Sequence, residues 1–358
     1  MCTSPFIRIP VHETAVHPRH RKLISNGGIF FGSEKSAEFK FFCDEYLDRE
    51  TGALPFDVQK IPCGQCMDCR IKHSQMWANR CMLEAQQYEH NYFITLTYDD
   101  DHLVDNVKYT VSRQSGELEY CAELVKEDFT KFKKRLLERI FEATGHRGVR
   151  FFMCGEYGSK NGRPHFHAIL FNCPLPDLKL HSRANLNGRK YCYYSSDILN
   201  ESWNKGHTMI GEMCWETAAY VARYVTKKFH SEEEKTYQAY CQAANVEPMQ
   251  AEFVNMSRKP GISRAYYESH KDEIYKSDNI VIVNGKTSKP FKYYDKLFEL
   301  EDDLNPFVLH QIKEERKRIS ELKTMLKYQG MSSKQIETAE AAAQAKKTAA
   351  YKKLKRDL

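Results

Sequence analysis

Arg150-Phe-Phe-Met-Cys-Gly-Glu-Tyr157, Gly158-Ser-Lys-Asn-Gly162 and Arg163-Pro-His-Phe-His-Ala-Ile-Leu-Phe171 are the consecutive pieces on which the fold turns. The outer two are rich in aromatic and aliphatic residues, and the short link between them has glycine at both ends. That pattern predicts a β-hairpin. Residues i and i+2 of a strand face the same side, so His165 and His167 project together while Phe166 and Ala168 turn toward a core. The first strand lies alongside, and hairpin register alone brings Glu156 to the two imidazoles. Two neutral imidazoles and one carboxylate can hold a divalent cation and leave positions open for water and an anionic oxygen. The plainer reading is two histidines capping a sheet edge, with Glu156 an ordinary surface acid.

Working outward, Tyr92-Phe-Ile-Thr-Leu-Thr-Tyr98 is β-branched and aromatic, a strand expected to stop at Asp99-Asp100-Asp101. Residues 117–125 read as another strand. Asp128 looks like the N-cap of a helix running to Glu142 with Gly145 just past its end, burying Phe129, Phe132, Leu136 and Ile140. A second helix is expected from Arg70 to Tyr88, with Ile71, Trp77, Cys81, Met82 and Ala85 as its apolar stripe. A third is expected from Glu216 to Phe229. Strands mixed with helices in this order predict an α+β fold around an antiparallel sheet.

The third helix carries Tyr220-Val-Ala-Arg-Tyr-Val-Thr-Lys-Lys228. Tyr220 and Tyr224 stand four apart and share a helix face. Lys228 continues that row and Lys227 flanks Tyr224. A phenol with an ordinary pKa near 10 is a weak nucleophile, and neighbouring ammonium groups favour the phenolate. The closer lysines lean the reading toward Tyr224 as the first of the two to act. Aromatic residues at helical spacing are also a common form of core packing, and both readings stand at this point.

The chain has 358 residues, 41% hydrophobic and 28% charged, the composition of a globular protein with one large domain and appendages. Three regions are expected: an irregular N-terminal arm over 1–60, a catalytic domain over 61–310, and a helical or partly disordered tail over 311–358. No apolar run is long enough to span a bilayer, and Met1-Cys-Thr-Ser-Pro-Phe lacks the order of a secretory signal, so a cytoplasmic site is expected. The net charge of +6 is unevenly placed. From Phe307 to Leu358 there are 13 Lys/Arg against 6 Asp/Glu, which leaves residues 1–306 at −1. A basic tail suits a polyanionic partner; a merely solvated helix is the alternative.

Twelve cysteines without an export signal imply reduced thiols. Cys63, Cys66 and Cys69 form a C-x-x-C-x-x-C run. With His73 or Cys81 as fourth ligand they could bind structural Zn²⁺; with no second C-x-x-C downstream, packing or a helix start is the other role for these thiols.

Taken together, Ile94-Thr-Leu-Thr97, Glu156 with Arg163-Pro-His-Phe-His167, and Tyr220 through Lys228 resemble the three ordered motifs of HUH endonucleases that start rolling-circle replication. More narrowly, with Pro62-Cys-Gly-Gln-Cys-Met-Asp-Cys-Arg70, the chain resembles the replication initiators of small single-stranded DNA phages of the Microviridae, of gokushovirus type. The resemblance covers roughly residues 61–300. It implies the two histidines on a middle strand, the tyrosine helix across the sheet face, and Mg²⁺ or Mn²⁺ held by His165, His167 and Glu156. It further implies Tyr220 and Tyr224 as nucleophiles supported by Lys227 and Lys228, a 5′-phosphotyrosine intermediate, and origin single-stranded DNA as substrate. Host helicase and polymerase would be partners in the bacterial cytoplasm. A transposase or relaxase of the same chemistry, or a non-catalytic single-strand binder, are the competing readings.

Overall fold

The computed structural model of the chain describes residues 59–64, 66–113, 115–158, 161–186, 189–227, 232–283 and 285–354, with short segments at 6–10, 24–25, 29–33 and residue 40. It divides into two compact units, Met1–Tyr266 and Tyr267–Leu358.

The first unit opens with β1 (Phe6–Pro10), β2 (Ile24–Ser25), β3 (Ile29–Ser33) and β4 (Gln59–Ile61). They pair antiparallel in the order β2-β3-β1-β4. The expectation of an irregular arm is corrected here. Phe6-Ile-Arg-Ile9 and Ile29-Phe-Phe31 are short β-forming runs whose pairing partners lie more than twenty residues away, as in Phe6 against Ser33. Separations of that length leave no local hairpin signal.

Next come α1 (Met67–Ala85), β5 (Tyr92–Tyr98), the short α2 (Asp100–Val104), β6 (Val107–Val111), β7 (Leu118–Ala122) and α3 (Lys126–Thr144). The central hairpin is β8 (Arg150–Tyr157) and β9 (Pro164–Phe171). It is followed by β10 (Lys179–Leu186), β11 (Arg189–Ser195), α4 (Asp197–Trp203), β12 (Gly206–Glu212), α5 (Trp215–Lys227), α6 (Glu232–Ala243) and β13 (Phe253–Met256). Seven strands form one antiparallel sheet in the order β10-β11-β12-β5-β9-β8-β13. β9 therefore lies inside the sheet, between β5 and β8. This is an α+β fold.

Alternation along the strands gives the sheet two different faces. On one, Ile94, Leu96, Met153, Phe166, Ala168 and Leu170 pack with Phe129, Phe132, Leu136 and Ile140 of α3 and Trp203 of α4. All four expected α3 positions are buried. Asp128 is not the N-cap; Val125 is, and Asp128 sits in the first turn, buried, accepting a hydrogen bond from Tyr98 Oη at 2.9 Å. A buried tyrosine hydroxyl needs a partner, and that need takes the carboxylate away from its own helix end. Gly145 does end α3, at φ 70°.

On the other face, Phe152, Cys154, Ile169 and Phe171 pack with Ala78 and Cys81 of α1 and Ala218, Val221 and Ala222 of α5. The small alanines let α1 and α5 lie close together on the sheet. α1 starts three residues earlier than expected and ends three earlier. Of its expected stripe only Cys81 is fully buried, because the buried side also holds Asp68, Arg80 and Glu84. The charges are satisfied there: Glu84 pairs with Arg150 and accepts from the Ser263 amide, and Arg80 donates to the Ile262 carbonyl at 2.7 Å. A buried polar network of this kind has no apolar period to read.

β10, β11 and β12 carry no clear alternation in sequence. β12 joins β5 so closely that a Cβ on Gly206, at φ 142°, would stand 2.3 Å from the Thr97 carbonyl oxygen. Only glycine fits there. The residues expected as a 117–125 strand pair instead with β6, as a two-stranded ribbon apart from the main sheet.

The second unit holds most of α7 (Arg264–Ser277), with β14 (Ile280–Val281), β15 (Thr287–Ser288), α8 (Lys292–Glu299), α9 (Asn305–Tyr328) and α10 (Ser333–Leu354). Arg316 of α9 bonds both Asp278 and Asp295, at 2.6 and 2.9 Å, so the first half of the basic tail is tied into its unit. No helix among the described residues is long and apolar enough to cross a membrane.

Candidate active site

Three strands meet at the polar end of the α1–α5 face. On β9, His165 and His167 point to that face; β8 places Glu156 directly opposite His165, and β5 places Thr95 opposite His167 and Thr97 opposite His165. The Glu156 carboxylate, 1% exposed, is the hub. Its Oε1 lies 3.0 Å from His165 Nε2, 2.8 Å from His167 Nε2, and 3.0 Å from the Tyr220 hydroxyl, which donates to it.

The far nitrogens of the two rings fix how they face that carboxylate. His165 Nδ1 is 3.0 Å from the Arg163 carbonyl, which can only accept, so Nδ1 carries a proton. His167 Nδ1 is 2.9 Å from Thr95 Oγ1, a partner able to donate or accept. Burial lowers the His165 imidazole, but its hydrogen bond and charge interaction with Glu156 outweigh that and raise it above 6.5. Burial dominates at His167, which falls below its ordinary value. Burial pushes the Glu156 carboxyl up, yet bonds from both histidines outweigh it and hold the group at about 2.

Tyr220 reaches the site from α5. Its ring stands edge-on to His167 with centroids 5.0 Å apart and to Phe93 at 6.4 Å, while Phe93 stacks on His167. The Arg223 guanidinium lies 5.2 Å from the Tyr220 ring centre. Burial pushes the phenol up and the adjoining Glu156 carboxylate pushes it further, while Arg223 draws it down. In this state the hydroxyl is a protonated donor.

Glu156, His165 and His167 thus come together with Tyr220. The backbone of α5 continues through Tyr224 to Lys227, but the side chains of Tyr224 and Lys227, and Lys228 entirely, lie outside the described residues. Thr95 is the residue sequence reasoning passed over; the alternation of Ile94-Thr-Leu-Thr97 against His165 and His167 was the available signal.

The donor set fits a divalent cation. One nitrogen from each ring and one carboxylate oxygen lie within 4.8 Å of one another, and each ring has a second partner at Nδ1 that can take its remaining proton and leave Nε2 bare. Cys63, Cys66 and Cys69 also form a group within 4.8 Å. His73 and Cys81 do not join it, a correction with a geometric cause. The cysteines gather around the start of α1, whereas His73 lies about 6 Å and Cys81 about 18 Å along the helix from Cys69.

The family model for replication-associated protein ORF2 matches residues 91–229, a span that takes in the whole of this site. The chain is 36% identical over 279 residues to replication-associated protein ORF2 of Spiroplasma virus 4, covering 76% of this chain and 78% of that protein. The chain belongs to the replication-associated proteins of the Microviridae. Further members similar to it are replication-associated protein VP4 of Bdellovibrio phage phiMH2K, 28% identical over 70% of this chain and 73% of its own, and replication-associated protein ORF4 of Chlamydia phage 1, 30% identical over 64% and 59%. No solved structure matches the chain. Membership in this family gives the chain a role in phage DNA replication.

Proposed function

We propose that this chain initiates rolling-circle replication by cutting and rejoining single-stranded DNA at the phage origin, through a tyrosine nucleophile and an HUH-type site. The observation that carries the proposal is the 3.0 Å hydrogen bond from Tyr220 Oη to Glu156 Oε1, inside the Glu156–His165–His167 group. A phenol one bond from a cation-binding carboxylate on an interior strand is what such chemistry requires.

The Tyr220 oxygen attacks the scissile phosphorus, an O–P bond forms, and the bond to O3′ breaks. O3′ leaves as a hydroxyl once it gains a proton, and the 5′ phosphate stays on the tyrosine. The phosphodiester energy is conserved, so attack by a 3′ hydroxyl reverses the step and reseals the strand without ATP. Tyr224 supplies a second nucleophile one turn along, for the cut that releases a finished circle. Lys227 and Lys228 favour the phenolate form and meet the phosphate charge.

Glu156, His165 and His167 would hold Mg²⁺ or Mn²⁺, which supplies charge that polarises a phosphate oxygen and offsets the Glu156 carboxylate. Thr95 and the Arg163 carbonyl orient the two rings. Arg223 steadies the Tyr220 ring and favours its ionised form. The free 3′ end would be extended by host helicase and polymerase in the bacterial cytoplasm. Family membership favours this reading over a transposase or relaxase, and the Tyr220–Glu156 contact favours it over a non-catalytic binder.

Incubation with end-labelled single-stranded origin DNA and Mn²⁺ should give an adduct that survives SDS. No adduct with any origin fragment, with or without Mn²⁺, would count against the reading.

A further inference from the structure

We propose that Cys63, Cys66 and Cys69 bind one Zn²⁺, a structural site separate from the nuclease chemistry, which fixes the start of α1 and so backs the helix that carries Tyr220. The three sulfur atoms lie within 4.8 Å of one another. Tetrahedral zinc with bonds of about 2.3 Å holds thiolates about 3.8 Å apart, so closing around an ion needs movement of an ångström or less. None of the three is in a disulfide.

The local backbone is arranged for sulfur as anion. Cys66 is the N-cap of α1 and Cys69 lies in its first turn, where the positive end of the helix dipole favours thiolate over thiol. The Cys66 amide donates to Cys63 Sγ at 3.2 Å. Gly64 supplies the left-handed residue, φ 76°, that turns Cys63 back toward the helix end. Three soft thiolates in a tight turn select zinc over the hard cations suited to the Glu156 site. Among the described residues no further His, Cys, Asp or Glu completes the group, so the fourth ligand comes from outside the trio.

What the ion would hold in place is specific. α1 meets α5 through Ser74 Oγ, which donates to the Ala219 carbonyl at 3.2 Å, and Asn79 Oδ1, which accepts from Trp215 Nε1 at 2.8 Å. Ala219 adjoins Tyr220. The far end of α1 is tied down by Arg80 and Glu84; the near end has the cysteines.

Full-length protein, purified without chelator or histidine tag, is assayed for metals by mass spectrometry. One zinc per chain is expected, lost in Cys66→Ser and Cys69→Ser and kept in the His165→Ala/His167→Ala variant. Zinc absent from the wild type, zinc that follows the histidines, or iron in its place overturns the proposal. Should the serine variants fail to fold, wild-type protein stripped of metal is titrated with Co²⁺. Sulfur-to-cobalt charge-transfer absorption and protection of Cys63, Cys66 and Cys69 from alkylation are expected. No such band, or protection of other cysteines, overturns it. Because the readouts are metal content and thiol protection, a failed zinc site leaves the proposed nicking activity untouched, and the reverse holds.

Discussion

One face of β9 carries His165 and His167; the other, a single residue out of step, carries Phe166 and Ala168. On the α3 side Phe166 is fully buried among Phe129, Trp203 and Phe253, with ring centroids 5.7 to 6.1 Å apart. On the α5 side the same strand offers imidazoles to a carboxylate and a phenol. The difference teaches that stability and chemistry are assigned to opposite faces of one strand, so substitutions one position apart should fail in different ways.

The largest effects should come from that pair of faces. His165→Ala/His167→Ala should abolish adduct formation while changing unfolding free energy by no more than about 1 kcal/mol, the range for polar positions outside a packed core. Phe166→Ala should cost about 3–5 kcal/mol through the lost ring and the cavity left behind. Adduct gels and urea denaturation on the same preparations test both. Loss of fold in the histidine variant, or an unchanged midpoint for Phe166→Ala, would break the division between faces.

Thr95→Val sharpens it. The change keeps shape but removes the partner of His167 Nδ1, and loss of such an orienting group typically costs about 10- to 100-fold in metal affinity or activity. The apparent Mn²⁺ requirement of nicking should rise by that order, with the thermal midpoint nearly unmoved. Asp128→Ala makes the matching change on the α3 side. It strips the buried Tyr98 hydroxyl of its acceptor, a loss of about 1–3 kcal/mol, readable by denaturation, with the Mn²⁺ requirement unaltered.

Glu156 links the faces to pH. Its folded value of about 2 lies below the ordinary 4.5, so its contribution is complete above 4.5 and lost as pH falls from there through 2. Metal-free wild type should therefore lose more stability over that window than Glu156→Gln. Parallel curves would show that the histidine bonds do not stabilise the carboxylate. The smallest effect is expected from deleting 331–358, which removes seven basic and three acidic residues and leaves Arg316 in place. Nicking chemistry should survive, with a shallower salt dependence of DNA binding; an unchanged slope would mean this segment does not touch DNA.

Where structure follows local periodicity, the sequence was readable. The hairpin of β8 and β9 announces itself by glycines and alternation, and its register put Glu156 against His165. The α3 stripe was visible for the same reason. Legibility ended where partners are distant in sequence. Asp128 belongs to Tyr98, thirty residues back; β12 is a strand because β5 pairs with it; Arg80 and Glu84 are buried because Ile262 and Ser263 receive them. At the site, the spacing of Tyr220 and Tyr224 was plain, but lysine neighbours favoured Tyr224. The contact with Glu156 that favours Tyr220 exists only once α5 lies across the sheet.

That contact is the most direct place to test the mechanism. Tyr224→Phe protein is incubated with labelled origin DNA and Mn²⁺, and the adduct is digested and mapped by mass spectrometry. A phosphodiester link to Tyr220 is expected, absent from Tyr220→Phe/Tyr224→Phe. A link to any other residue, or no adduct from Tyr224→Phe where wild type forms one, would contradict it.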